Sequence, residues 1–127
     1  MRTSLYTGCM LLLATLSAAA LAQGVEFRLL VQSSPLAGFH YYQGKQLWDE
    51  IRVGDALTLV REPANPHDSN AVRVEWRGQR LGYVPRCDNR AVALHMDRGG
   101  NVEARVSRRK EHRDPWQRVE FEVFVNL

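Results

Sequence analysis

The residues richest in chemistry lie between Arg61 and Val74, in the stretch REPANPHDSNAVRV. His67 and Asp68 set an imidazole beside a carboxylate, a pair able to ligate a cation, move a proton or accept a hydrogen bond. Pro63 and Pro66 fix φ and press Glu62 and Asn65 towards extended geometry. Asn65, Asp68, Ser69 and Asn70 are turn formers whose side chains bond nearby backbone amides. A stiff polar loop is therefore expected, with His67 and Asp68 at its tip. Nothing else in the chain completes a catalytic set. There is no Walker loop, H-E-x-x-H or G-x-S-x-G motif, and His40, His67, His95 and His112 show no metal-ligand spacing. A metal site would have to be assembled in space from His40, His67 and Asp68; no metal, cofactor or catalytic residue is otherwise expected.

The loop joins two strands. Leu57 and Leu59 alternate with Thr58 and Val60 before it, and Ala71 to Trp76 follows it. Upstream, Val25, Phe27, Leu29 and Val31 alternate with Glu26, Arg28, Leu30 and Gln32, which predicts a first strand with its apolar side inward. A turn-rich break, Ser33 to Gly38, leads to the aromatic cluster Phe39 to Tyr42, and Lys45 to Arg52 has the spacing of a short helix. Read as strand, the neighbours Tyr41 and Tyr42 face opposite ways, one to the core and one to the surface. Downstream, Arg77-Gly78 predicts a hairpin between Ala71–Trp76 and Gln79–Val84. Gly82 marks a bulge or a close backbone approach. Asp88 or Asn89 caps a helix through Arg98 whose inner face is Ala91, Val92, Leu94 and His95. Two strands, Val102 to Ser107 and Gln117 to Val125, flank a charged loop from Arg108 to Asp114. About six short strands with one or two short helices make a mainly β domain, a small closed or nearly closed barrel.

The combination R-E-P-A-N-P-H-D-S-N-A-V with a downstream G-Q-R-L-G-Y-V-P-R resembles the HIRAN domain, from about Phe27 to Val106. That family occurs at the N-terminus of some DNA-remodelling helicases and as a standalone bacterial domain. The resemblance implies an OB- or SH3-like β-barrel and a partner, single-stranded nucleic acid, held by its 3′ end. It places Tyr41 and Tyr42 in the nucleic-acid pocket, where an aromatic ring stacks on a terminal base. Asp68, besides forming the turn, would accept a hydrogen bond from a free 3′-hydroxyl and repel a phosphate. His67 stands where the animal helicase member stacks an aromatic residue, and Tyr83 where that member has a histidine. Arg86 matches a phosphate-contacting lysine. His40 departs from the pattern, replacing an arginine and losing charge near neutral pH.

The 127 residues allow one domain, and their N-terminus is not expected to belong to it. Arg2 precedes an apolar run from Cys9 to Ala20, and Ala20-Leu21-Ala22 forms an A-x-A cleavage pattern, so residues 1–22 read as a secretory signal. The run is shorter than the ~20 residues a membrane span needs, so no stable insertion is expected after cleavage. Residues 23–127 would form a periplasmic or secreted domain with Cys87 as its one cysteine, read as a small apolar filler. The net charge of +3 becomes +2 once Arg2 is removed, and Lys45 and Lys110 are the only lysines. Arginine's planar fork suits phosphate and stacks on rings. Arg108, Arg109, Lys110 and Arg113 would extend a phosphate track only if they shared the pocket's groove. Export sits awkwardly with the replication-fork repair in which the family's helicases act and keeps two other readings open: an envelope binding protein whose pocket holds a protein strand or glycan, and a metal-dependent nuclease or phosphohydrolase.

Overall fold

The computed structural model describes residues 27–111, 113 and 118–126; the expected signal lies outside them. Six strands form one antiparallel sheet: β1 (Arg28–Pro35), β2 (Ala56–Arg61), β3 (Val72–Trp76), β4 (Gln79–Tyr83), β5 (Val102–Arg109) and β6 (Val119–Asn126). Their order is β1-β6-β5-β2-β3-β4. The sheet curls without closing as a ladder. One bridge joins its two ends just beyond β1, where Ala37 and Tyr83 exchange both backbone hydrogen bonds at 3.0 and 2.9 Å. Gly82 permits this approach, since a Cβ there would lie 2.2 Å from the Ala37 carbonyl oxygen. A register shift in the β3–β4 ladder leaves Leu81 as the extra residue, so the bulge expected near Gly82 is present as well.

The core follows strand alternation. Val119, Phe121, Val123 and Val125 of β6 are buried while the residues between them are not. Val72, Val74 and Trp76 of β3 repeat the pattern and pack with Leu57, Leu81, Val106 and Ile51. The β3–β4 hairpin turns at Arg77 and Gly78, both at positive φ (48° and 79°), the twist that a two-residue connection requires.

Three stretches depart from the expectation. Strand β1 runs on to Pro35 through the expected break, and Phe27, Leu29, Leu30 and Val31 are all exposed. It is an edge strand with a bulge between Leu30 and Gln32, so period-two burial fails there, and Ser34 is its one buried residue. The Phe39–Tyr41 segment is a 3-10 turn, not a strand, and the helix after it, α1, spans only Gly44–Leu47. Helix α2 (Asn89–Asp97) buries Asn89, Val92 and Ala93, with Met96 partly covered. That i, i+3, i+4, i+7 stripe displaces the expected one, because Ala91 and Leu94 face outward. Asp88 occupies the N-cap position without a side-chain capping bond. Cys87 is exposed and so is not a core filler.

Candidate functional site

The Arg61–Val74 loop is built as its residue types require. The Asn65 side-chain oxygen accepts hydrogen bonds from the His67 and Asp68 amides at 2.9 and 3.3 Å. The Asp68 carbonyl then accepts from the Ala71 amide at 3.1 Å, and the Ala71 carbonyl from the Glu62 amide at 2.9 Å. Helix α2 grips the loop from both ends. The Arg61 guanidinium bonds both carboxylate oxygens of Asp97 at 3.0 and 3.2 Å. At the other end the buried Asn89 donates to Asp68 Oδ2 at 2.7 Å. Asp68 Oδ1 accepts from the Asn70 amide at 2.9 Å.

These bonds decide the charge of Asp68. The Asn70 amide holds its carboxyl below the usual aspartate range; partial burial opposes this, and Asn89 with the charges of Arg86 and Arg61 outweighs that opposition. Each oxygen carries one protein donor and has capacity for another. The turn-forming role expected for Asp68 is therefore present, and its carboxylate remains an ionised acceptor at the loop tip.

Asp68 stands at the rim of a cleft of about 400 Å³, lined also by Tyr42, His67, Tyr83, Arg86, Arg80, Asn65 and Asn89. Five of the seven expected site residues thus converge. Tyr41 does not line it: its side chain is 75% exposed beyond the 3-10 turn. His40 lies in the same turn, and its side chain falls outside the described atoms. Tyr41 and Tyr42 do part company, but at the end of a 3-10 turn, where Tyr42 returns to extended backbone, and not within a strand. The Tyr42 ring tilts against Tyr83 at 5.8 Å between centroids, and the Arg80 guanidinium lies 5.0 Å over it.

Beneath the cleft is a polar network. Glu62 accepts from the Tyr83 hydroxyl at 3.0 and 3.1 Å, from the Asn65 amide at 3.1 Å and from Arg73 at 2.8 Å. Burial pushes the Glu62 carboxyl up, but these bonds and the Arg73 charge together hold it below its ordinary value. Burial and the Glu62 carboxylate raise the Tyr83 phenol, which therefore stays a neutral donor. Glu62 thus ties the cleft floor at Tyr83 to the loop tip through Asn65. Among the described residues no group of three His, Cys, Asp or Glu side chains could hold a metal.

The basic run begins within β5, and its Arg109 has another role. Arg108 and Arg109 belong to the strand, and Arg109 donates twice to the Trp48 carbonyl while stacking 4.1 Å over the Trp48 ring. None of the four basic residues lines the cleft. Sequence reading missed Arg80. Three positions from Tyr83, it would face the opposite side of a regular strand, and only the Leu81 bulge brings both to one face.

A small, curled, OB-like β-barrel with an aromatic, carboxylate and arginine cleft defines the class of molecule. Residues 29–127 match the HIRAN domain family, and the chain belongs to it. The HIRAN domain is a nucleic-acid-binding module. Two solved structures share the fold. A protein from Lactobacillus plantarum is 25% identical with a TM-score of 0.69, over 80% of this chain and 98% of that one. The HIRAN domain of human HLTF is 22% identical with a TM-score of 0.56, over 78% of this chain and 77% of that one. A Fanconi-associated nuclease 1 homolog from Oryza sativa subsp. japonica is 38% identical over 53 residues, 39% of this chain. The chain spans 6% of that rice protein's length.

Proposed function

We propose that the domain is a non-catalytic module that binds single-stranded nucleic acid and seats a terminal nucleotide with a free 3′-hydroxyl in the cleft. One observation carries the reading. Asp68 presents an ionised carboxylate with spare acceptor capacity at the rim of a cleft whose cations, Arg80 and Arg86, have no ion pair among the described residues. A sugar hydroxyl donates to such a group, whereas a terminal phosphate is repelled by it. Tyr42 offers a ring for stacking, worth about 1–3 kcal/mol per base and tolerant of sequence. Arg86 supplies a phosphate contact that positions the strand without reading it.

The test is an anisotropy titration of short single-stranded oligonucleotides ending in 3′-hydroxyl or 3′-phosphate. Tighter binding of the hydroxyl end, weakened by salt, is expected; equal affinity for both ends overturns the end-reading role. Labelled oligonucleotide incubated with the protein and a divalent cation should stay intact. The N-terminal apolar run and its A-x-A site support an exported location, so the ligand would be met in the periplasm or beyond. Finding residue 23 at the N-terminus of protein from a periplasmic extract is the expected result, and an intact Met1 in the cytoplasm would overturn it.

A further inference from the structure

Two features are combined in Arg80, and Arg86, the other arginine lining the cleft, shares only the second. The Arg80 guanidinium lies over the Tyr42 ring, 5.0 Å from the centroid, and no ion pair to it is found among the described residues. The second feature has a structural cause. The β3–β4 register puts Glu75 directly opposite Arg80, where opposite charges normally pair. Arg73 takes that carboxylate instead: its Nε lies 3.4 Å from Glu75 while its Nη1 bonds Glu62 at 2.8 Å. Arg61 is likewise held by Asp97. Arg73 thus pairs with the carboxylate opposite Arg80 and leaves that cation exposed on a ring.

Taking the cleft as a single-strand site, as above, we propose that Arg80 is a displaceable cap on Tyr42: a base stacking on the ring lifts the guanidinium, which then holds the phosphate on the 5′ side of that base. The backbone favours a side chain that swings from a fixed root. The Arg80 carbonyl accepts from the Gln43 amide at 3.0 Å, pinning the strand to the segment that carries Tyr42, while the side chain is exposed. A base and a guanidinium compete for one π-face, and base stacking is the stronger contact. Arg73 holds Glu75 and Glu62, and Asp68, the carboxylate lining the same cleft, is bonded by Asn70 and Asn89 and taken up by the 3′-hydroxyl, so a phosphate is the best partner for the freed guanidinium. The ligand that uses both contacts has at least one internucleotide phosphate beside its terminal base. A lone nucleoside would meet the cap and gain nothing from lifting it.

The experiment compares wild type, Arg80→Ala and Arg80→Lys, with a short 3′-hydroxyl oligothymidylate titrated over a salt series and thymidine as competitor. Arg80→Ala should weaken oligothymidylate binding on the order of tenfold, the size of one lost charge-assisted contact. Its plot of log affinity against log salt should be shallower by about 0.7, one phosphate for a single strand. Thymidine should compete at least as well against this variant as against wild type, because its ring is bare. Arg80→Lys should restore the slope. Tighter oligothymidylate binding by Arg80→Ala, or unchanged affinity and slope beside a binding wild type, overturns the role of Arg80 alone. A wild type that binds no oligonucleotide overturns the reading of the cleft and this inference with it. Melting curves of the variants should superimpose on wild type, since the replaced side chain is exposed.

Discussion

Two concavities of this barrel place guanidinium groups on aromatic rings, and they differ in what happens to the charge. On the outer face of β1, β6 and β5, beside a hollow of about 560 Å³, Phe124 lies under Arg28 at 5.3 Å and Arg105 at 4.8 Å. Both cations there are spoken for: Arg28 meets Glu103 at 2.9 Å, and Arg105 meets its cross-strand partner Glu122 at 3.1 Å. In the cleft, the cross-strand partner of Arg80 is held by Arg73. The larger hollow is thus a neutralised, solvated ladder, and the smaller cleft keeps its cations. On the proposed reading, free charge, not volume or the mere presence of arginine, is what would draw phosphate to the cleft.

The largest effect that would break this contrast is loss of the ring itself. Tyr42→Ala should cost about 1–3 kcal/mol of oligonucleotide binding, while Phe124→Ala leaves affinity unchanged; equal losses in anisotropy titrations would mean the two faces are equivalent. Next is Asp68→Asn, which keeps an oxygen for the Asn70 amide and removes the charge. It should bring the affinities for 3′-hydroxyl and 3′-phosphate ends together, a change of about 1.5–3 kcal/mol in their difference. Affinity for the phosphate end should rise as that for the hydroxyl end falls.

Much of this was legible in the residues, and the failures are instructive. The loop read correctly because Pro63, Pro66, Asn65 and Asp68 act locally, through their own φ restrictions and short-range bonds. The Arg77-Gly78 hairpin read correctly for the same reason. What could not be read is whatever depends on a register shift or on a distant partner. Arg80 reaches the cleft only through the Leu81 bulge. Exposed Leu29 and Val31 look like core until β1 is known to be an edge. Glu62, five residues before His67, organises the floor through Tyr83 and Arg73, partners from two other strands. The helix α2 stripe was misplaced by one position because Asn89, a polar residue, begins it. Its burial makes sense only as the donor that holds Asp68.

The Glu62 network gives the cleft side a pH dependence of its own, with a smaller effect. The Glu62 pKa is depressed on folding, so its stabilisation is full above the ordinary glutamate pKa and is lost as pH falls through the lower folded value. The Tyr83 pKa is raised, so its contribution is full below the ordinary tyrosine pKa and is lost as pH rises through the higher folded value. Glu62→Gln should flatten the stability profile at both limbs in chemical-denaturation curves. It should also lower one tyrosine in an alkaline absorbance titration, with burial still keeping that phenol above its ordinary pKa. Asp68, depressed too, should keep its preference for the hydroxyl end as pH falls into the ordinary carboxylate range and lose it only below.

The smallest effect is also the sharpest test of the comparison, because it asks the quiet face to act. Replacing both Glu103 and Glu122 by glutamine frees Arg28 and Arg105 while leaving Phe124 and the β5–β6 register in place. Each lost ion pair is exposed and worth about 0–1 kcal/mol, so the fold should tolerate the change with a small drop in melting temperature. The freed guanidiniums on Phe124 would then match the arrangement at Arg80 and Tyr42. A second, weak and strongly salt-dependent binding phase for single strands should appear, without preference for the 3′ end, because no carboxylate like Asp68 stands at that rim. If the double variant shows no second phase while wild-type cleft binding persists, free arginine on an aromatic ring is not sufficient. The Asp68 loop would then be the element that makes the cleft a site.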